Sequence, residues 1–168
     1  MTEPRQPRRR LIRKTITVPG NFEKGCADFN AGRYFECHEW FEEIWQEEQG
    51  AVRDLYKGLI QIAAAFVHLS RGNFVGADRL LRTGVGYLAL YREDGAMGFD
   101  VEAIAASAAA AHARLLAGGP DGVGTIDLAE RPRYAFEQAR LASESQRWAA
   151  WGFDNEGRPL ALEITVPE

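Results

Sequence analysis

From Asn21 onward the apolar positions recur with a helical period, and glycine punctuates them. Asn21–Ala31, Tyr34–Glu48, Val52–Arg71 and Phe74–Arg92 carry apolar residues three and four apart, and Gly32, Gly50, Gly72 and Gly95 follow them. Glycine just past the last periodic residue closes a helix readily, because it takes the left-handed conformation that satisfies the final carbonyls. Val101–Ala117 is a fifth predicted helix, rich in alanine and of high intrinsic propensity. The Gly/Pro-rich stretch Gly118–Gly124 breaks it. Arg133–Trp148 reads as a sixth helix with Pro132 at its start. Beyond it the period changes: Leu160, Leu162, Ile164 and Val166 alternate as in a strand over Pro159–Val166, and Leu11–Val18 is its candidate partner. The expected fold is all-α, a bundle of five to six helices with short terminal β-strands.

Two of the turns are alike. Gly32-Arg33-Tyr34-Phe35-Glu36-Cys37 and Gly72-Asn73-Phe74-Val75-Gly76-Ala77 share a glycine, an aromatic two residues on and a small residue three after that, 40 positions apart. The pattern resembles the inter-helix turn of tetratricopeptide repeats, although the spacing exceeds the usual ~34 residues. It predicts two stacked helical hairpins without implying a solenoid.

Composition narrows the class. A chain of 168 residues, 46% of them hydrophobic, can build one core without metal or disulfide staples. Its longest apolar run, Leu59–Leu69, is interrupted by Gln61 and His68 and falls short of the ~20 residues of a membrane span. Cys26 and Cys37 form no Cys-x-x-Cys pair and no secretory leader is visible, so reduced thiols and a cytoplasmic, non-membrane location are expected. Cys37 reads as a small core residue. Charge is unevenly placed. Residues 1–14 hold six basic side chains against Glu3, a net +5, whereas the rest holds 14 basic and 23 acidic, a net −9. With no nucleic-acid-binding signature beside it, the basic stretch reads as a solvated, flexible arm over residues 1–18 rather than a nucleic-acid tail. Residues 19–118 are then a helical core domain, and 119–168 a C-terminal helix and extension packed on it.

Candidate chemistry is concentrated in the second helix. Glu36, His38, Glu39, Glu42 and Glu43 fall within eight residues of a segment that also carries Tyr34, Phe35, Trp40, Phe41 and Trp45. On a helical wheel Tyr34, Cys37, Trp40, Phe41, Ile44 and Trp45 form the core-facing arc, with His38 and Glu42 at its border and the remaining carboxylates opposite. An imidazole with a carboxylate four residues on can share a hydrogen bond or offer two ligands to a divalent cation. If the second and third helices are antiparallel neighbours, Gln61 is level with Glu42, Lys57 with Trp45, and His68 lies one turn beyond His38. The expected site is a polar seam of His38, Glu39, Glu42, Gln61 and His68, with His38, Glu42 and His68 as candidate metal ligands. No zincin, di-iron, nucleophile-elbow, phosphate-loop or dinucleotide pattern is present. Three readings stay open: a hydrogen-bonded pair of histidines that fixes packing, a ligand or metal site, and an exposed cluster without a role. His112, in the alanine-rich helix, reads as a surface residue.

Taken together, Phe29-Asn30-x-Gly32-x-Tyr34-Phe35-Glu36-x-His38-Glu39-x-x-Glu42-x-x-Trp45, Gly58-Leu59-Ile60-Gln61-x-Ala63-Ala64 and His68-x-x-Arg71-Gly72-Asn73-x-x-Gly76-Ala77 resemble the domain of unknown function 309 family. The resemblance covers about Cys26–Tyr91 and implies a small all-α protein; it brings no catalytic residues, and the seam positions are motif positions of the family. Two roles follow. One is a non-catalytic binding module, docking a protein partner or a second copy as a homo-oligomer, with Trp148, Trp151 and Phe153 as candidate contacts and the seam as internal packing. The other is a divalent-metal-dependent hydrolase or small-ligand-binding protein, with His38, Glu42 and His68 as ligands or acid/base groups and Gln61 orienting the substrate.

Overall fold

The computed structural model describes residues 11–19, 21–48, 50, 52–137, 140 and 159–167. Among the described residues five α-helices follow one another: α1 (Asn21–Asn30), α2 (Tyr34–Glu47), α3 (Arg53–Ser70), α4 (Phe74–Leu88) and α5 (Val101–Gly118). They match the runs marked out by period and glycine to within a few residues, with α4 tightening into a 3-10 turn over Ala89–Tyr91. Each helix packs on the next in the chain, so α3 lies between α2 and α4. That central position explains its composition: Leu55, Tyr56, Leu59, Ile60, Ile62, Ala63, Phe66 and Leu69 are buried on nearly every side of it.

The two similar turns have the same geometry. Gly32 (φ +82°) and Gly72 (φ +71°) are left-handed. The following N–H, of Arg33 or Asn73, reaches back five residues to the carbonyl of Asp28 (2.7 Å) or His68 (2.9 Å), closing a Schellman-type cap. Cys37 and Ala77, the small residues of the pattern, are both fully buried where the hairpins close. Side-chain caps start two helices: Asn73 Oδ1 accepts from Gly76 N–H (3.1 Å), and an Asp100 carboxylate oxygen from Ala103 N–H (3.0 Å).

β1 (Leu11–Pro19) pairs antiparallel with β2 (Pro159–Pro167), from Leu11 opposite Pro167 to Pro19 opposite Pro159. The terminal strands expected from the alternation therefore form, and they pair with each other. The predicted sixth helix does not begin at Arg133. Arg131 is extended (φ −67°, ψ 159°), as the residue before a proline tends to be, and residues 131–137 contain no helical turn. Pro132 and Tyr134 are buried instead. The remainder of that predicted helix lies outside the described residues, apart from a helical Arg140. The core is aromatic at its centre. Tyr134 stacks on Phe29 with ring centroids 3.8 Å apart and 9° between planes, while Phe22, Phe41 and Phe99 meet edge to face or tilted around it.

Candidate functional site

The pairing register expected for α2 and α3 is observed: Lys57 Nζ lies 4.4 Å from the Trp45 ring centroid, and the Arg53 guanidinium 3.9 Å from it. The seam itself divides. His38 Nε2 is 3.3 Å from Glu42 Oε2, one turn along the same helix, with the side chains 27% and 42% exposed. The ring of Phe35, itself half exposed, lies 5.8 Å from the imidazole. His38 Nδ1 is shielded from solvent and has no hydrogen-bond partner among the described residues. Gln61 turns the other way, where its Oε1 accepts from the Thr83 hydroxyl of α4. His68 does the same: its Nδ1 is 3.0 Å from Asn73 Nδ2, and the ring lies against Gly76 at the start of α4.

The physical reason is that α3 has neighbours on both sides. Its polar stripe lies at the rim, where either helix can claim a side chain. Arg53 and Lys57 meet an aromatic face on α2, whereas Gln61 and His68 meet hydrogen-bonding partners on α4 or its cap. His38 and His68 do not form the helix-to-helix pair considered for packing. Nor do His38, Glu42 and His68 converge as ligands; among the described residues no three His, Cys, Asp or Glu side chains are gathered so as to hold a metal ion.

Glu39, with Trp40, Glu42, Glu43 and Gln46, lines a shallow groove of about 340 Å³ along the outward side of α2. Trp40 at its edge is held in place. Its indole N–H donates to Asp28 Oδ2 (2.9 Å), and the Lys24 ammonium lies 4.8 Å from its ring centroid. Asp28 also accepts from Arg33 Nε (2.7 Å), and Asn21 donates to Glu43 (2.9 Å), so α1 fixes α2 at both ends of this face.

Two groupings have no counterpart in the motif reading. His112 is only 16% exposed and its Nε2 is 2.7 Å from Asp78 Oδ1, which Arg82 Nη2 approaches at the same distance. His112 is therefore a pin between α5 and α4, and no surface residue. The His112 hydrogen bond, followed by the charge of Arg82, holds the Asp78 carboxyl below the usual carboxylate range. The second grouping joins the end of α1 to the extended segment. Asn30 Oδ1 accepts from Tyr134 N–H (2.8 Å) and Asn30 Nδ2 donates to Tyr134 C=O (2.6 Å). The Tyr134 hydroxyl donates to the Leu59 carbonyl (2.8 Å). Its only advance signal was an asparagine at the end of α1, and the partner lies 104 residues away.

Burial pushes the Cys26 thiol up to about 12 and Cys37 well above its ordinary value. Both are protonated at neutral pH and neither is a thiolate nucleophile. No helix among the described residues is long and apolar enough to cross a membrane. Trp148, Trp151 and Phe153, the candidate partner contacts, lie outside the described residues.

The comparisons with known proteins reach the same helices. Residues 22–80 match the family model described as "Domain of unknown function (DUF309)". "Uncharacterized protein YpuF" of Bacillus subtilis (strain 168) is 44% identical over 63 residues, which is 36% of this chain and 36% of that protein. The chain thus spans about a third of the length of the curated relative it matches. No solved structure matches. The matched segment runs from α1 into α4 and carries the two similar turns and all the seam positions. Residues 22–80 are thus similar to that family, and the rest of the chain lies outside the match.

Proposed function

We propose that this protein is a non-catalytic helical interaction module whose contact surface is the acidic, tryptophan-edged face of α2. A single observation carries the reading. Of the polar side chains that invited a chemical role, Gln61 and His68 are engaged by Thr83 and Asn73 and His38 pairs with Glu42 along α2, while the groove of Glu39, Trp40, Glu42, Glu43 and Gln46 faces outward. Such a surface suits a positively charged protein segment. Carboxylates supply the attraction and Trp40 a ring face for a guanidinium or ammonium, the role it already plays for Lys24.

The hydrolase reading has less support, because the candidate ligands point to different neighbours. The test is fluorescence anisotropy of a labelled Lys/Arg-rich decapeptide titrated with the full chain and with Glu39→Gln, Glu42→Gln, Glu43→Gln. Exposed ion pairs contribute about 0.2–1 kcal/mol each, so losing three is expected to weaken binding by about 10-fold. Affinity should also fall as salt is raised. An unchanged dissociation constant in the triple variant would refute the surface.

A further inference from the structure

We propose that the corner formed by the end of α1, the start of α2 and α3 is a receptor for an extended peptide of the form Arg-x-x-Tyr, and that the chain's own Arg131–Tyr134 is the ligand docked there. Three features distinguish this contact from ordinary helix packing.

The first is how the backbone is read. One side-chain amide, Asn30, satisfies both the N–H and the C=O of Tyr134. This is what a strand edge does for an added strand, and it holds an extended chain whatever its side chains. The proline at position 132 favours that extended path before anything binds.

The second is a built specificity pocket. The Tyr134 ring is fully buried, stacked flat on Phe29 and edge-on to Phe41. At the bottom its hydroxyl reaches the Leu59 carbonyl of α3. A phenylalanine would fill the same space without that bond. At the rim, the Arg131 guanidinium donates to the Asn30 carbonyl and, at 3.4 Å, to the Tyr34 hydroxyl. Arginine and tyrosine three positions apart are thereby both selected.

The third is where the two halves lie. Phe29, Asn30, Tyr34, Phe41 and Leu59 all fall within the matched domain, residues 22–80, and the segment that fills the corner lies well outside it. The receptor therefore sits in the domain while its occupant sits in the extension. A segment of another protein with the same chemistry would take the place of Arg131–Tyr134 when that segment lifts away. The corner uses none of the groove residues on α2, so either site can fail without the other.

The experiment empties the pocket and refills it in trans. Full-length Tyr134→Ala is titrated with a labelled peptide of residues 126–137. The expected results are saturable binding, a rise in the variant's Tm with peptide, at least 10-fold weaker binding when the peptide tyrosine is replaced by alanine, and a similar loss in Asn30→Ala, Tyr134→Ala. Wild-type protein, with the corner filled, should bind the peptide at least 10-fold more weakly than Tyr134→Ala does. A folded Tyr134→Ala that does not bind the peptide, or binds it equally well without Asn30, overturns the proposal. Amide hydrogen exchange on the wild-type protein decides independently of whether that variant folds. The Tyr134 amide should exchange at least 10-fold faster than Ala63 and Phe66 in α3, reporting release of the segment from an intact domain. Equal protection would mean that the segment leaves only on global unfolding, and would overturn it.

Discussion

Two glycines inside helices give opposite stability expectations that test the α3–α4 crossing. A Cβ placed on Gly58 of α3 would lie 2.6 Å from Leu88 Cδ2, 2.8 Å from Leu88 Cγ and 3.1 Å from the Gly84 carbonyl oxygen. Leu88 is fully buried, and the clash reaches its branch point as well as its tip, so the whole side chain must move. Overpacking costs about 1–3 kcal/mol, and a clash at the branch point of a fully buried side chain lies in the upper part of that range, about 2–3 kcal/mol. The gain in helix propensity from Gly to Ala returns only about 1 kcal/mol. The clash wins, and Gly58→Ala is expected to lose about 1–2 kcal/mol net. Gly86, on α4, has nothing within 4 Å of its built Cβ and lies on the exposed side. Gly86→Ala should keep the propensity gain and stabilise the protein by about 0.5–1 kcal/mol. Urea unfolding followed by circular dichroism measures both. With a slope near 2 kcal/mol/M, roughly as expected for a small protein, the midpoints should move by about −0.5 to −1 M and +0.25 to +0.5 M. If Gly58→Ala raised the midpoint as much as Gly86→Ala, the two helices could not approach as closely as described, and the geometry that brings Gln61 to Thr83 would fall with it.

Other consequences can be checked in the same way. Asn30→Ala leaves the N–H and C=O of Tyr134 without their partner and should cost about 2–4 kcal/mol in urea unfolding; a change under about 0.5 kcal/mol would contradict the clamp. His38→Ala removes a half-exposed pair within one helix and should cost less than about 1 kcal/mol, so a larger loss would return His38 to a packing role. Elemental analysis of untagged protein should find no stoichiometric divalent metal that is lost in His38→Ala, Glu42→Ala, since those two donors have no third beside them among the described residues. Because the carboxyl of Asp78 is depressed in the folded state, its contribution is present above the unfolded value near ~4 and disappears as pH falls through the lower folded value. Asp78→Asn should therefore lower the urea midpoint at pH 7 but match wild type at about pH 2. A difference that persisted at the acid end would show that the His112 contact acts by packing rather than charge.

Most of the fold was legible because its signals are local. Gly32 and Gly72 stop helices through their own conformation, and the alternation of Leu160, Leu162, Ile164 and Val166 marks a strand whatever it pairs with. The α2–α3 register followed from one short turn, and Lys57 lies over Trp45 accordingly. What could not be read was the choice among neighbours. A rim stripe on a helix flanked on both sides fits two partners equally well until the partners' own hydrogen-bonding groups are known. Gln61 and His68 went to Thr83 and Asn73 because α4 and its cap offer polar atoms within hydrogen-bond reach at those levels. His112 was misplaced for a related reason: a helix built largely of alanine has little contrast between its faces, so nothing in its periodicity marks the side that meets Asp78. The extended path of Arg131–Tyr134 is the extreme case. From Arg133 on the local pattern favours a helix, and a single asparagine at the end of α1 supplies the two hydrogen bonds to the Tyr134 backbone that hold it extended. In this chain the conspicuous cluster on α2 is mostly surface. The residues that join helices to each other and to the extension (Asn30, Gln61, His68, His112) are single polar side chains whose meaning depends on what stands opposite. The place where the domain meets the extension, at Asn30 and Tyr134, is therefore where a role beyond packing is best sought.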